Sequence, residues 1–163
     1  MIMKRLLIPL LVFFSVLTFS RSYAGNPNIY IATIDKPVSA VYKKLYDNLE
    51  TSNFFVVLEP HISETMARFK ERWGEDYNRN KLEDIRSLVV CNVWYVNQVA
   101  NKDPDMLALC PLRISLVQKG GKTRILFVRP TAAAANSPAN PILAEVESII
   151  IKAIETSISQ TIQ

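Results

Sequence analysis

Cys91 and Cys110 are the residues in this chain whose type most readily does chemistry, and they are its only cysteines. A thiol pair can be a structural disulfide, two buried small hydrophobes, or a redox-active couple. No C-x-x-C is present, which removes the commonest arrangement for lowering a thiol pKa. Cys91 closes one β-like run and Cys110 precedes another. If those runs are parallel neighbours, the cysteines fall at opposite edges, separated by a strand of ~23 Å, whereas bonded cysteines need Cα atoms within ~7 Å. If Asp103 to Leu109 carries the chain back, a bridge is possible. The disulfide and the thiol-chemistry readings both stay open.

His61 is the single histidine. One imidazole with two distant cysteines matches no zinc spacing, and the absence of C-x-x-C-H excludes covalent c-type haem. Haem or metal binding through His61 is a further alternative, and no cofactor is otherwise implied. Gly120-Gly121-Lys122 lacks the earlier glycine and following helix of a P-loop. No G-x-S-x-G nucleophile elbow occurs. Asp76 and the pair Glu83-Asp84 could form a carboxylate site, or be solvated loop charges. Trp73, Trp94 and Tyr95 could stack on a ligand, or serve as core. Arg129 opens a small-residue segment to Asn140 and could meet an anion. A surface where Cys91, Asn92, Cys110, Pro111 and Arg129 converge is the expected ligand site.

The elements that must position these groups follow from periodicity. Asn28–Ile34 alternates as a strand. Pro37 starts a helix with Val38, Val41, Tyr42, Leu45 and Leu49 on one stripe. Phe54–Glu59 is a continuous apolar run, which reads as a strand covered on both faces. Ile62, Met66, Phe69 and Trp73 mark a second helix. Ile85–Cys91 is a strand, and Asn92–Ala100 a helix. Asp103-Pro104 opens a helical turn. Leu112–Gln118 and Thr123–Val128 form a hairpin about Gly120-Gly121. Residues 129–140 read as a loop. Asn140 caps a last helix, with Glu145 and Glu147 in its first turns as the dipole prefers, and with fraying after Ser157. The order β-α-β-α-β-α-β-β-α predicts one compact α/β domain (α+β as the alternative) with a mixed, mainly parallel sheet and flanking helices.

Residues 1–24 read as a cleaved secretory signal: Lys4 and Arg5, the apolar run Leu6–Ser20, then Ser22-Tyr23-Ala24, with cleavage after Ala24. The apolar run falls short of the ~20 residues a membrane helix needs, so no span remains after cleavage. A retained N-terminal anchor is the alternative. Residues 25–163 form the globular domain, periplasmic or secreted, where a disulfide can persist. The whole chain carries a formal charge of +4, but Lys4, Arg5 and Arg21 lie in the leader, which leaves 16 basic and 15 acidic residues from Gly25 onward. That balance, without a basic stripe, gives nucleic-acid binding no support.

Cys91-Asn92-Val93-Trp94-Tyr95, the stretch Asp103 to Leu112, Phe127-Val128-Arg129-Pro130-Thr131 and the last helix together resemble the domain of unknown function 302 family, over about residues 36–156. The family pattern often places proline after the asparagine matching Asn92. Val93 stands there instead, which eases a helix start. The resemblance implies a compact α/β domain, a homodimer, no established activity and a link to redox or sulfur metabolism, and carries over no catalytic residues. The combined expectation is an exported, non-enzymatic dimeric module that binds a small ligand or a periplasmic protein partner. A thiol redox or sulfur-carrier protein using Cys91 or Cys110 is the alternative.

Overall fold

The computed structural model describes residues 26–163. The proposed leader and its cleavage site therefore lie outside the described residues. Five strands, β1 (Ile29–Ile34), β2 (Phe55–Leu58), β3 (Asp84–Cys91), β4 (Leu112–Lys119) and β5 (Lys122–Val128), form one sheet in the order β1-β5-β4-β3-β2. Six helices accompany them: α1 (Val38–Thr51), α2 (Ile62–Ala67), α3 (Lys70–Trp73), α4 (Val93–Lys102), α5 (Pro130–Ala133) and α6 (Asn140–Ile162).

Every strand pair is antiparallel, which corrects the expectation of a mainly parallel sheet. The fold remains a mixed α/β domain with flanking helices. Two of the helical connections return the chain beside the strand it left. After α4, a 3-10 turn from Pro104 to Leu109 brings the chain back to the end where β3 finished, so β4 starts there. An antiparallel sheet can also leave one face uncovered. Here Val38, Val41, Leu45 and Leu49 of α1 join Val146, Ile150, Ala153 and Ile154 of α6. Together they pack on Leu88, Val90, Ile114, Leu116, Ile125 and Phe127, which share one sheet face. The opposite face presents Ile29, Ile31, Val117 and Leu126 half-buried, with Arg113 and Arg124 exposed.

The stripe of α1 forms as its spacing predicts, and its first free N–H, at Val38, donates to Gln118 Oε1 at 2.8 Å. The hairpin also forms. Gly120 and Gly121 take φ of 58° and 71°, the left-handed values that a two-residue turn matched to strand twist requires. Glu83 accepts from both glycine N–H groups and from Gln118 Nε2, and these bonds hold its carboxyl below the usual range.

Other local readings change. The run from Phe54 is an edge strand with Phe55, Val57 and Leu58 exposed, because only β3 flanks it; Phe54 is buried and Val56 packs half-buried against the core. The stripe Ile62, Met66, Phe69 and Trp73 spans two short helices with no buried residue. Its rings stack on each other instead: Phe69 and Trp73 lie 5.1 Å apart and Trp73 and Tyr77 6.5 Å apart. Residues 129–140 include α5. Ala139 stands at the N-cap of α6, while Asn140 Nδ2 donates to the carbonyls of Thr131 and Ala134. That helix does not fray at Ser157, which is buried and bonded to Asn48, but continues to Ile162.

Candidate functional site

The antiparallel pairing of β3 with β4 decides where the cysteines stand. Val90 is opposite Leu112, the last pair of that ladder, so Cys91 and Asn92 leave β3 where Cys110 and Pro111 lead into β4. Both cysteines therefore lie at one end of the sheet, not at opposite edges. They are free. Cys91, Asn92, Cys110 and Pro111 border one narrow apolar cleft with Phe54, Tyr95, Val99 and Leu143, of about 20 Å³ free volume. That is room for one water-sized group. Burial, with the nearby Cys91 adding to it, pushes the Cys110 thiol up.

Asn92 shapes the cleft mouth. Its side-chain oxygen accepts from the N–H groups of Trp94 (3.0 Å) and Tyr95 (3.2 Å) and so starts α4, as a capping asparagine does. Val93 takes the first helical position at 76% exposure, and Trp94 follows at 64%. Tyr95 stacks on Phe54 at 5.8 Å and donates to Glu145 Oε1 at 2.7 Å. Burial and that carboxylate push the Tyr95 hydroxyl up to about 12.

His61 is at the other end of the sheet, outside this cleft. Its Nε2 is 2.9 Å from Asp84 Oδ1 and its Nδ1 is 3.1 Å from Glu64 Oε2. Ser63 Oγ donates to the same Asp84 oxygen at 2.9 Å and accepts from Ile85 N–H at 3.1 Å. Serine, histidine and aspartate thus meet, with the hydroxyl and the imidazole both bonded to the carboxylate. Burial alone would raise the Asp84 carboxyl; Ser63, the charge and hydrogen bond of Arg86, and His61 outweigh it and hold it low. The basin beside it measures about 530 Å³ and includes Tyr77, Asn78 and Gln118. Among the described residues, no group of three or more His, Cys, Asp or Glu could hold a metal ion.

Arg129 also misses the cleft. It follows β5 at the same sheet end but is held by Glu147 of α6, with Nη1 2.5 Å from Oε1, and lies over the Tyr30 ring. Thr131 donates its hydroxyl (2.5 Å) and its N–H (3.3 Å) to the other Glu147 oxygen.

The pattern of DUF302, a domain of unknown function, matches residues 30–157. This chain belongs to the DUF302 family. Its fold is similar to that in the crystal structure of an uncharacterized conserved DUF302 protein from Bacillus stearothermophilus, with a TM-score of 0.68 and 20% identity over 80% of this chain and 98% of that one. No curated protein matches the chain.

Within this DUF302 domain, Cys91, Asn92, Cys110 and Pro111 border one cleft, while Arg129, expected to join them, and His61 lie elsewhere with partners of their own. The position of Glu147 in the first turns of α6 predicts an acid that favours the helix dipole. It is buried instead and neutralises Arg129. A signal existed: Glu147 sits among Leu143, Val146, Ile150 and Ile154 on the inward stripe of α6, where a carboxylate requires a partner. Asp84 stands out in the sequence only as half of an acidic pair, and its meeting with Ser63 follows from α2 flanking β3.

Proposed function

We propose that this DUF302 chain is an exported, dimeric, non-enzymatic module that binds the apolar tip of a small ligand or protein partner in the Cys91-Asn92-Cys110-Pro111 cleft. One observation carries the reading. The polar side chains that could serve catalysis are spent on each other, whereas this cleft leaves apolar surface open beside the exposed Val93, Trp94 and Phe55. Exposed aromatic and aliphatic groups around a small pocket are what an anchoring side chain or methyl group recognises. Export rests on the leader sequence, and the periplasm or exterior is the corresponding location.

The test is the intact mass of protein recovered from an exporting host. A chain beginning at Gly25, with an adduct kept under native and lost under denaturing conditions, is the expected result. Val96→Ile, which adds one methyl-sized group to the half-buried wall of the cleft, should remove the adduct while circular dichroism shows the fold intact. A bare native mass would overturn the binding reading, and an unprocessed chain the export reading.

The thiol redox or sulfur-carrier reading is supported by both cysteines being free at one sheet end. The raised Cys110 thiol works against it, since the thiolate is the reactive form. Iodoacetamide should modify Cys110 slowly at pH 7 and faster as pH rises. A reductant-sensitive added mass on either cysteine would favour sulfur chemistry instead.

A further inference from the structure

Two thiols share the cleft, and an apolar tip uses neither. Cys91 and Cys110 are the only cysteines of the chain, and both are half-buried, unbonded and on the border of that one cleft. They stand near enough that the charge of Cys91 acts on the Cys110 thiol. The free volume beside them, about 20 Å³, is that of one water-sized group or one ion.

Soft sulfur ligands select soft cations. Tetrahedral zinc needs four ligands, and among the described residues no third His, Cys, Asp or Glu joins the pair. His61, the single imidazole, is held by Asp84 and Glu64 at the other end of the sheet. Calcium and magnesium take oxygen ligands, and no carboxylate lines the cleft. Cu(I) is the soft monovalent cation that two thiolates alone satisfy, in a linear arrangement. Phe54, Val99 and Leu143 wall the space with apolar surface, which keeps water from metal–sulfur bonds. Among the described residues, Tyr95 is the one other titratable group lining it, and its hydroxyl donates to Glu145.

We infer that Cys91 and Cys110 bind one Cu(I) between them as thiolates. This goes beyond the anchoring role proposed above, since the ion and an apolar tip compete for one space. Each sulfur gives a lone pair to the metal and releases its proton to solvent, and nothing is oxidised or reduced. Two thiolates and one monovalent cation leave a single negative charge. It lies by the start of α4, where Asn92 caps the helix at the cleft and the helix dipole is positive.

Anaerobic titration of the purified chain with Cu(I), against a competing Cu(I) chelator, tests this. The parent should take one Cu(I) per chain. Its apparent affinity should rise about 100-fold from pH 6 to pH 7, tenfold for each thiol proton displaced. Cys91→Ala and Cys110→Ala should each bind at least about 100-fold more weakly, because losing a ligand exceeds the roughly 10–100-fold cost of losing a supporting group. Their circular dichroism should be unchanged, since a buried cysteine packs as a small hydrophobe. Without any substitution, bound Cu(I) should shield both thiols from iodoacetamide at about pH 8, where free thiols react. Half a copper per chain, equal affinity in either alanine variant, or unshielded thiols in the loaded parent overturns the inference. An organic adduct on the metal-free parent that Cys91→Ala retains leaves the anchoring role standing even then. Cu(I) binding with no such adduct overturns that role alone.

Discussion

At the scale of single residues, Glu147 shows how a charge becomes structural. Burial favours its protonated form, but the hydroxyl and N–H of Thr131 and the guanidinium of Arg129 favour the ionised one and win, so the carboxyl is held below its usual range. A lowered folded-state pKa stabilises above the unfolded carboxyl value and is lost as pH falls through the folded one. Glu147→Gln should therefore cost about 1–3 kcal/mol at neutral pH by leaving Arg129 underbonded. The difference from the parent should close as the solution is acidified below about pH 4. Urea unfolding of both proteins from pH 7 to 3 measures it, and a constant difference would count against the assignment. Asp84, held low in the same sense by Ser63, Arg86 and His61, contributes to the same acid sensitivity.

At the scale of elements, local chemistry and tertiary packing part company in instructive places. The start of α4 is local: Asn92 supplies the acceptor and Val93 accepts the first helical position. Asn92→Ala should lose about 1 kcal/mol of stability, as for other capping side chains, with faster amide exchange at Trp94 and Tyr95. The hairpin is local too, since two glycines with positive φ suit its turn. The apolar run at Phe54 is not. Its composition is that of a buried central strand, yet it sits at an edge, because burial depends on which neighbours arrive and not on the run itself. The aromatic stripe at Phe69 and Trp73 has helical spacing without a core to face, so the rings stack on one another.

At the scale of the whole molecule, one helical layer on one sheet face carries the stability. Ile150 is fully buried between α1, α6 and the sheet, whereas Phe55 on β2 is 51% exposed. Ile150→Ala should cost about 2–5 kcal/mol from lost burial and the cavity left behind. Phe55→Ala should cost under about 1 kcal/mol, as a surface change does. Equal losses in chemical denaturation would show that the core is distributed differently. No helix among the described residues is long and apolar enough to cross a membrane.

The existence and order of the main elements, the glycine hairpin, the inward stripe of α1 and the family are legible along the chain. Those properties rest on spacing and turn chemistry within a few residues. Only the tertiary structure decided strand direction. A helical connection can deliver the next strand parallel or antiparallel, and the difference lay in the return turn at Pro104–Leu109, whose path no periodicity records. That choice set the site. It brought Cys91 and Asn92 to one cleft with Cys110 and Pro111. It sent His61 to Asp84 at the far end, and left Arg129 to Glu147. Long-range pairing of side chains is fixed by where whole elements pack, and the chain states it nowhere locally.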